Sequence, residues 1–275
     1  MKKEILKWIF IKDSWVKWNA TTIMVWVHWN ETSWIDALND IIDDLKIISW
    51  KVFFIYANLK AIEKNVRFTE KNLNRCFLKE LANESYEERR AKEIMSILDK
   101  SDFLLDVHNT ISFNSSLEIL ITSNTDFIKY FPLSKVITHI DEIQKWGSDW
   151  YLDSVWWKWF CIECGSINFW DKNKSKDLAK KSIINFLKVT WNISWKAEEY
   201  SWKRKIMRMD YVYKTKTDNF KLKREFKDFE ELKSWEIIWY DWSKEIITDK
   251  ESIIMFAHNR EEKWSEWFYL WYKSE

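Results

Sequence analysis

Glycine is nearly missing from this chain: only Gly147 and Gly165 occur in 275 residues, where average usage of about 7% would supply roughly 19. Turns and helix C-caps commonly need a residue without Cβ that takes positive φ. Here tryptophan stands at such places, with 22 copies in all. Asp241-Trp242 and Ser234-Trp235 fall between apolar runs, Trp156-Trp157-Lys158-Trp159 precedes a strand-like run, and Trp191 follows a helical pattern. Tryptophan and glycine together come close to an ordinary glycine allotment. The pattern predicts that UGA codons are written as tryptophan for a gene whose code reads UGA as glycine. The literal reading is a tryptophan-rich module for carbohydrate or a membrane interface, since indole faces stack on sugars and favour headgroup regions. It requires the tryptophans to cluster on one surface, whereas they scatter over turns and strand ends throughout the chain.

Cysteine is also scarce. Cys76, Cys161 and Cys164 give an odd count, which argues against a disulfide framework and fits a reducing compartment. Cys161 and Cys164 have C-x-x-C spacing but lie in an apolar run with no second pair to complete a four-cysteine zinc site, so they read as core residues. The single proline, Pro132, falls in an expected loop. Neither charge dominates: 44 basic residues face 43 acidic ones, which implies no polyanion partner. Lys203-Arg204-Lys205 and Glu87-Glu88-Arg89-Arg90 read as solvated faces. No apolar run reaches the roughly 18 residues of a membrane span, and Met1-Lys2-Lys3-Glu4 lacks a signal-peptide apolar region. The expectation is a cytoplasmic, soluble protein with neither nucleic acid nor membrane as partner.

What is present is an alternation of strands and helices. Thr21 to Val27 is β-branched and apolar, and after Glu31 the residues Ile35, Leu38, Ile41, Ile42 and Leu45 repeat at helical spacing. Val52 to Ala57, Phe103 to Val107, Leu117 to Thr122, Lys135 to His139 and Phe160 to Cys164 read as further strands, with helices over Glu84 to Leu98 and Lys174 to Leu187. Such alternation predicts an α/β fold with a mainly parallel mixed sheet flanked by helices. From about Glu198 short alternating segments separated by turns predict a small C-terminal all-β domain. The expected domains are therefore residues 1–197 and 198–275.

Chemistry concentrates at two strand ends. Val27-His28-Trp29-Asn30-Glu31 puts an imidazole and a carboxylate three residues apart on a turn, and Asp106-Val107-His108-Asn109-Thr110 puts a second imidazole at another strand's carboxyl end. That edge is where ligands gather in open α/β sheets. Two histidines and one carboxylate match a catalytic zinc site with an open fourth position, with Asp106 either orienting it or serving as a buried structural carboxylate. Taken alone, the His28-x-x-Glu31 pair reads as a simple surface pair. His139 and His258 have no motif around them and read as structural or surface residues.

These segments resemble the succinylglutamate desuccinylase/aspartoacylase family, relatives of the zinc carboxypeptidases. The likeness runs from His28-Trp29-Asn30-Glu31, similar to the family's His-Gly-Asn-Glu, through Arg67 and Asn72-Leu73-Asn74-Arg75, similar to its arginine and Asp-Leu-Asn-Arg. It continues with Asp106-Val107-His108 and with Glu163-Cys164-Gly165, similar to its Glu-x-Gly strand, and the β-rich tail resembles its C-terminal domain. The resemblance implies a zinc carboxypeptidase-like catalytic domain in which His28, Glu31 and His108 hold one Zn2+ per chain. It implies Glu163 as general base, Arg67 as stabiliser of the oxyanion, and Asn74 and Arg75 as readers of a substrate carboxylate. Tyr269 is a candidate substrate contact from the tail. The implied activity is hydrolysis of the amide bond of an N-acyl amino acid or similar small amide. The alternatives are a carboxypeptidase acting on peptide C-termini and a noncatalytic metal-binding relative, and the oligomeric state, a homo-oligomer included, stays open. Two departures stand out: Asn72 replaces the usual aspartate, which bears on the orientation of Arg75 or on substrate preference, and Leu59 follows Asn58 where proline is usual.

Overall fold

The computed structural model describes all residues except 1, 15–19, 26–27, 29–32, 79, 81–83, 111–117, 144–146, 154–157, 167–171, 195, 218, 258–265 and 273–275. Nine strands form one mixed sheet: β1 (Lys2–Leu6), β2 (Ile9–Asp13), β3 (Ala20–Val25), β4 (Lys51–Tyr56), β5 (Phe103–Thr110), β6 (Glu118–Ile121), β7 (Lys135–Thr138), β8 (Lys158–Ser166) and β9 (Lys205–Arg208). Their spatial order is β1-β2-β4-β3-β5-β8-β6-β7-β9. The centre, β4-β3-β5-β8, is parallel, while β2 on β4 and β6 on β8 are antiparallel. The helices are α1 (Ser33–Ile42), α2 (Leu59–Lys64), α3 (Tyr86–Leu98), α4 (Ile140–Ile143), α5 (Ser148–Asp153) and α6 (Lys172–Val189).

Side chains alternate across a strand, and both faces of this sheet are covered, so the central strands read as continuous apolar runs. Every residue of β3 is buried. Val25, Val107, Phe160, Ile162 and Cys164 face a core closed by Leu38 of α1 and by Ile183 and Phe186 of α6. Met24, Phe53, Leu104 and Trp159 face the other way, into a core closed by Ile94 and Leu98 of α3 and by Met255 and Tyr269 from the tail. Cys161 packs against this second core and Cys164 belongs to the first. Lying on opposite faces, the two cysteines cannot share an ion, in line with their expected core role.

The tail forms two antiparallel sheets. One has the order β10-β16-β15-β12, from β10 (Tyr211–Lys214), β12 (Glu230–Leu232), β15 (Ser252–Met255) and β16 (Glu266–Tyr272). The other is β11-β13-β14, from β11 (Phe220–Leu222), β13 (Ile237–Asp241) and β14 (Lys244–Ile247). Leu232, Ile238, Ile254 and Phe268 fill the core between them.

The block Glu87-Glu88-Arg89-Arg90 corrects the reading of a solvated face. Glu87 is fully buried, Glu88 is 4% exposed and Arg90 2%. Burial of these charges is tolerated because each finds partners. Arg90 donates to the carbonyls of Ala57, Tyr56 and Lys7 and pairs with Glu93. Ser85 and Glu88 make a reciprocal capping box at the start of α3.

Candidate active site

His28 follows β3 and His108 lies near the end of β5, and parallel pairing of these strands in register brings both imidazoles to one sheet edge. Each is buried, at 4% and 5% exposure, and their ring centroids are 6.0 Å apart. Two imidazoles sharing one tetrahedral ion sit roughly 5–6 Å apart, given a Zn–N distance of about 2.1 Å. Glu163 on β8 is the register partner of His108. Because register partners on a parallel ladder project to the same face, Glu163 points to the side that His108 occupies. Asn109 of β5 donates to the carbonyl of Gly165, tying the same two strand ends together at 3.0 Å. Gly165 has φ +102°, and a Cβ there would meet Ser175 Oγ at 3.1 Å, so this glycine is demanded by the backbone.

A hydrogen bond defines which nitrogen of His28 is basic. Asn72 Oδ1 accepts the backbone N–H of Asn74 at 3.0 Å and lies 3.1 Å from His28 Nε2. An atom that accepts from a backbone N–H must be the amide oxygen, so His28 Nε2 carries the hydrogen and Nδ1 the lone pair. His108 Nε2 lies 3.1 Å from Asp106 Oδ2, within reach of its carboxylate. Metal-bound histidines characteristically give their second ring N–H to such an oxygen. The donor set fits a divalent metal: two buried imidazoles 6.0 Å apart, beside a carboxylate-bearing strand. Among the described residues no group of three metal-ligating side chains forms. Glu31, the expected third ligand, lies outside the described residues, as do Trp29 and His258.

The segment carrying the expected substrate contacts is built by a residue that the sequence reading missed. Glu87 accepts the backbone N–H groups of Thr69, Glu70 and Lys71 at 2.6, 3.2 and 3.3 Å and the Thr69 hydroxyl at 2.8 Å. One buried carboxylate thus shapes the bend between Arg67 and Asn72. Arg67 itself is half-buried, just after α2 ends on Asn65 in the left-handed conformation at φ 55°. A short 3-10 turn, Leu73–Arg75, is capped by Asn72 and presents Asn74 and Arg75, both half-buried. Arg75 Nη1 donates to the Asn74 carbonyl at 2.6 Å. Beside it, burial pushes the Cys76 thiol up to about 12, which keeps that cysteine an unreactive thiol at neutral pH.

Residues 19–187 match the catalytic domain of the succinylglutamate desuccinylase/aspartoacylase family. The chain belongs to this family. Over 136 residues it is 35% identical to a Nostoc sp. protein named "Probable aspartoacylase", covering 43% of this chain and 45% of that one. Over 82 residues it is 43% identical to a Xenopus tropicalis aspartoacylase, covering 26% of each. The matched stretches thus span less than half the length of these relatives. Among solved structures, the succinylglutamate desuccinylase of Vibrio cholerae superposes with a TM-score of 0.76 at 19% identity, covering 96% of this chain and 85% of that one. That of Chromobacterium violaceum gives 0.75 at 16% identity, covering 100% and 91%. The family's fold is therefore present from the large sheet through the tail.

Against the family pattern, Asn72 touches His28 and Asn74, whereas Arg75 turns to its neighbour's carbonyl. The departure from aspartate accordingly bears on an imidazole and on the turn itself. Tyr269 lies on β16, 5% exposed, with its ring edge-on to Phe256 at 5.6 Å. His139 contacts Thr138 Oγ1 at 2.8 Å and lies 4.0 Å from Glu142.

Proposed function

We propose that this protein is a zinc-dependent hydrolase that cleaves the amide bond of an N-acyl amino acid or similar small amide. The observation that carries the reading is the pair of buried histidines, 6.0 Å apart between ring centroids, beside Glu163 at the carboxyl end of adjacent parallel strands. His28 and His108 would hold the metal together with Glu31. A zinc ion bound there would make a water acidic enough to attack near neutral pH and would polarise the substrate carbonyl.

Asn74 and Arg75 bind the substrate carboxylate, for which a planar guanidinium is suited. Arg67 stabilises the negative charge that develops on the carbonyl oxygen. Glu163 takes the proton of the attacking water as the new C–O bond forms. It then gives that proton to the amide nitrogen as the C–N bond breaks, so the products are a carboxylate and an amine. No helix among the described residues is long and apolar enough to cross a membrane.

Metal analysis of the purified protein, followed by assay of N-acetyl, N-succinyl and dipeptide substrates with and without chelator, tests the reading. The expected result is one zinc per chain and chelator-sensitive release of amine from an N-acyl amino acid. Turnover that survives complete removal of metal would overturn it, and a preference for dipeptides would move the protein to the carboxypeptidase reading.

A further inference from the structure

Ser148 stands at the start of α5, 1% exposed, and uses both of its donors on residues from distant parts of the chain. Its hydroxyl donates to Asp106 Oδ2 at 2.7 Å, and its backbone N–H donates to Asn74 Oδ1 at 3.2 Å. Asp106 Oδ2 is the same atom that lies 3.1 Å from His108 Nε2. A continuous polar path therefore runs from His108 through Asp106 and Ser148 to Asn74, whose N–H reaches Asn72 and thence His28.

We propose that Ser148 is a positioning residue that fixes the Asp106 carboxylate so that it orients His108 toward the metal, while its backbone registers Asn74 against the same centre. This rests on the zinc reading above. Groups that hold a metal-bound imidazole through its second nitrogen commonly contribute about 10–100-fold in metal affinity. The hydroxyl arm and the backbone arm are separable: Ser148→Ala removes the first and keeps the second. Zinc affinity measured by competition with a chromophoric chelator should fall at least about tenfold in Ser148→Ala and recover in Ser148→Thr. KM at saturating zinc should stay within about twofold, because the Asn74 bond is made by main chain. Asp106→Asn should weaken zinc similarly, and adding Ser148→Ala to it should cost little more, since the two act on one path. Unchanged zinc affinity in Ser148→Ala, failure of threonine to rescue, or additive losses in the double variant would overturn the assignment. Wild-type protein that takes up no zinc overturns the metal reading itself, and this role with it.

A second inference stands on backbone conformation alone. Five of the nine non-glycine residues with positive φ among the described residues are tryptophan: Trp8, Trp50, Trp191, Trp235 and Trp242, at 56–66°. Trp191 occupies the left-handed position after α6, where its N–H bonds to Lys188 O and that of Asn192 to Leu187 O, the paired bonds of a Schellman cap that usually ends on glycine. Trp242 is the first of two residues linking Asp241 to Lys244 in a hairpin, a place with positive φ in both preferred turn types. Trp235 is third in a turn closed from Glu236 N to Lys233 O, where positive φ again selects glycine. We infer that these positions are glycine in the protein its own cell makes. Sequencing the gene should show UGA at all five, and peptide mass spectrometry of the native protein should show glycine there. UGG codons at these positions would overturn the inference.

Discussion

Two sets of residues sit in surroundings that do not suit their type. At the ends of β3, β5 and β8, polar and ionisable side chains are buried: His28, Asp106, His108 and Asn109 are all at most 5% exposed. At the turns the reverse holds, with Trp191, Trp235 and Trp242 66–71% exposed in left-handed backbone. Partners resolve part of the first mismatch, since Asn72, Ser148 and Gly165 meet His28, Asp106 and Asn109 with hydrogen bonds. For the turn tryptophans, removing the side chain would relieve the backbone and expose less apolar surface. The comparison separates two kinds of unusual residue: polar groups gathered at the strand ends, and tryptophans held at turns in a backbone conformation that disfavours any residue with a Cβ.

The sharpest way to break the comparison is at the strand ends. Glu163→Gln should keep zinc and the fold but lose about 10²–10⁴-fold in kcat, measured by amine release with metal content checked in parallel. Retained turnover would leave the buried polar cluster without its chemical explanation. Next in size is Glu87→Leu, which leaves the N–H groups of residues 69–71 without their carboxylate. These donors lie in residues that are half-buried or exposed, so water meets part of the need; urea melts should show a loss of about 1–3 kcal/mol, and KM should rise as the segment loosens. At the turns the sign reverses. Trp191→Gly, Trp235→Gly and Trp242→Gly should each stabilise the protein by about 1 kcal/mol, since left-handed backbone costs other residues about 1–2 kcal/mol. Destabilisation by these three changes would show that the indoles have a packing role.

Much of this was legible in the residues. The parallel strands announce themselves as unbroken apolar runs, and His28, His108 and Glu163 stand at their ends in motifs whose spacing matches the folded edge. The turn tryptophans were legible for the same reason that glycine would have been: Asp241-Trp242-Ser243-Lys244 between two apolar runs reads as a hairpin whatever letter occupies the loop. What stayed hidden depends on contacts made across long stretches of chain. Glu87 lies in a block of four charges that resembles a solvated helix face, and only the return of residues 69–71 against α3 reveals its role. Ser148 has no local motif, because both its partners come from elsewhere in the chain. The edge strand β1 was missed because it is almost wholly exposed and so lacks the alternation that marks a half-buried strand. Glu88 offers one partial signal: Ser85-x-x-Glu88 is a capping-box pattern, and taking it as one would have drawn attention to a buried start for α3.

That cap supplies the smallest expected effect. Glu88 is held down to about 2, first by its hydrogen bond with Lys71 and then by the backbone N–H of Ser85. A carboxyl that protonates less readily when folded than its ordinary value of about 4.5 stabilises the fold above that value. The contribution is lost as pH falls from about 4.5 toward about 2. Glu88→Gln removes the titration, so the difference in melting temperature between wild type and variant should be largest near neutral pH and shrink steadily across that acid window. Lys71 is half exposed, and added salt should therefore reduce the difference as well. A difference that stays constant down to pH ~2 would mean that the capping geometry, not the charge, is what α3 gains from Glu88. The bend held by Glu87 would then be anchored on a helix start that does not depend on acid.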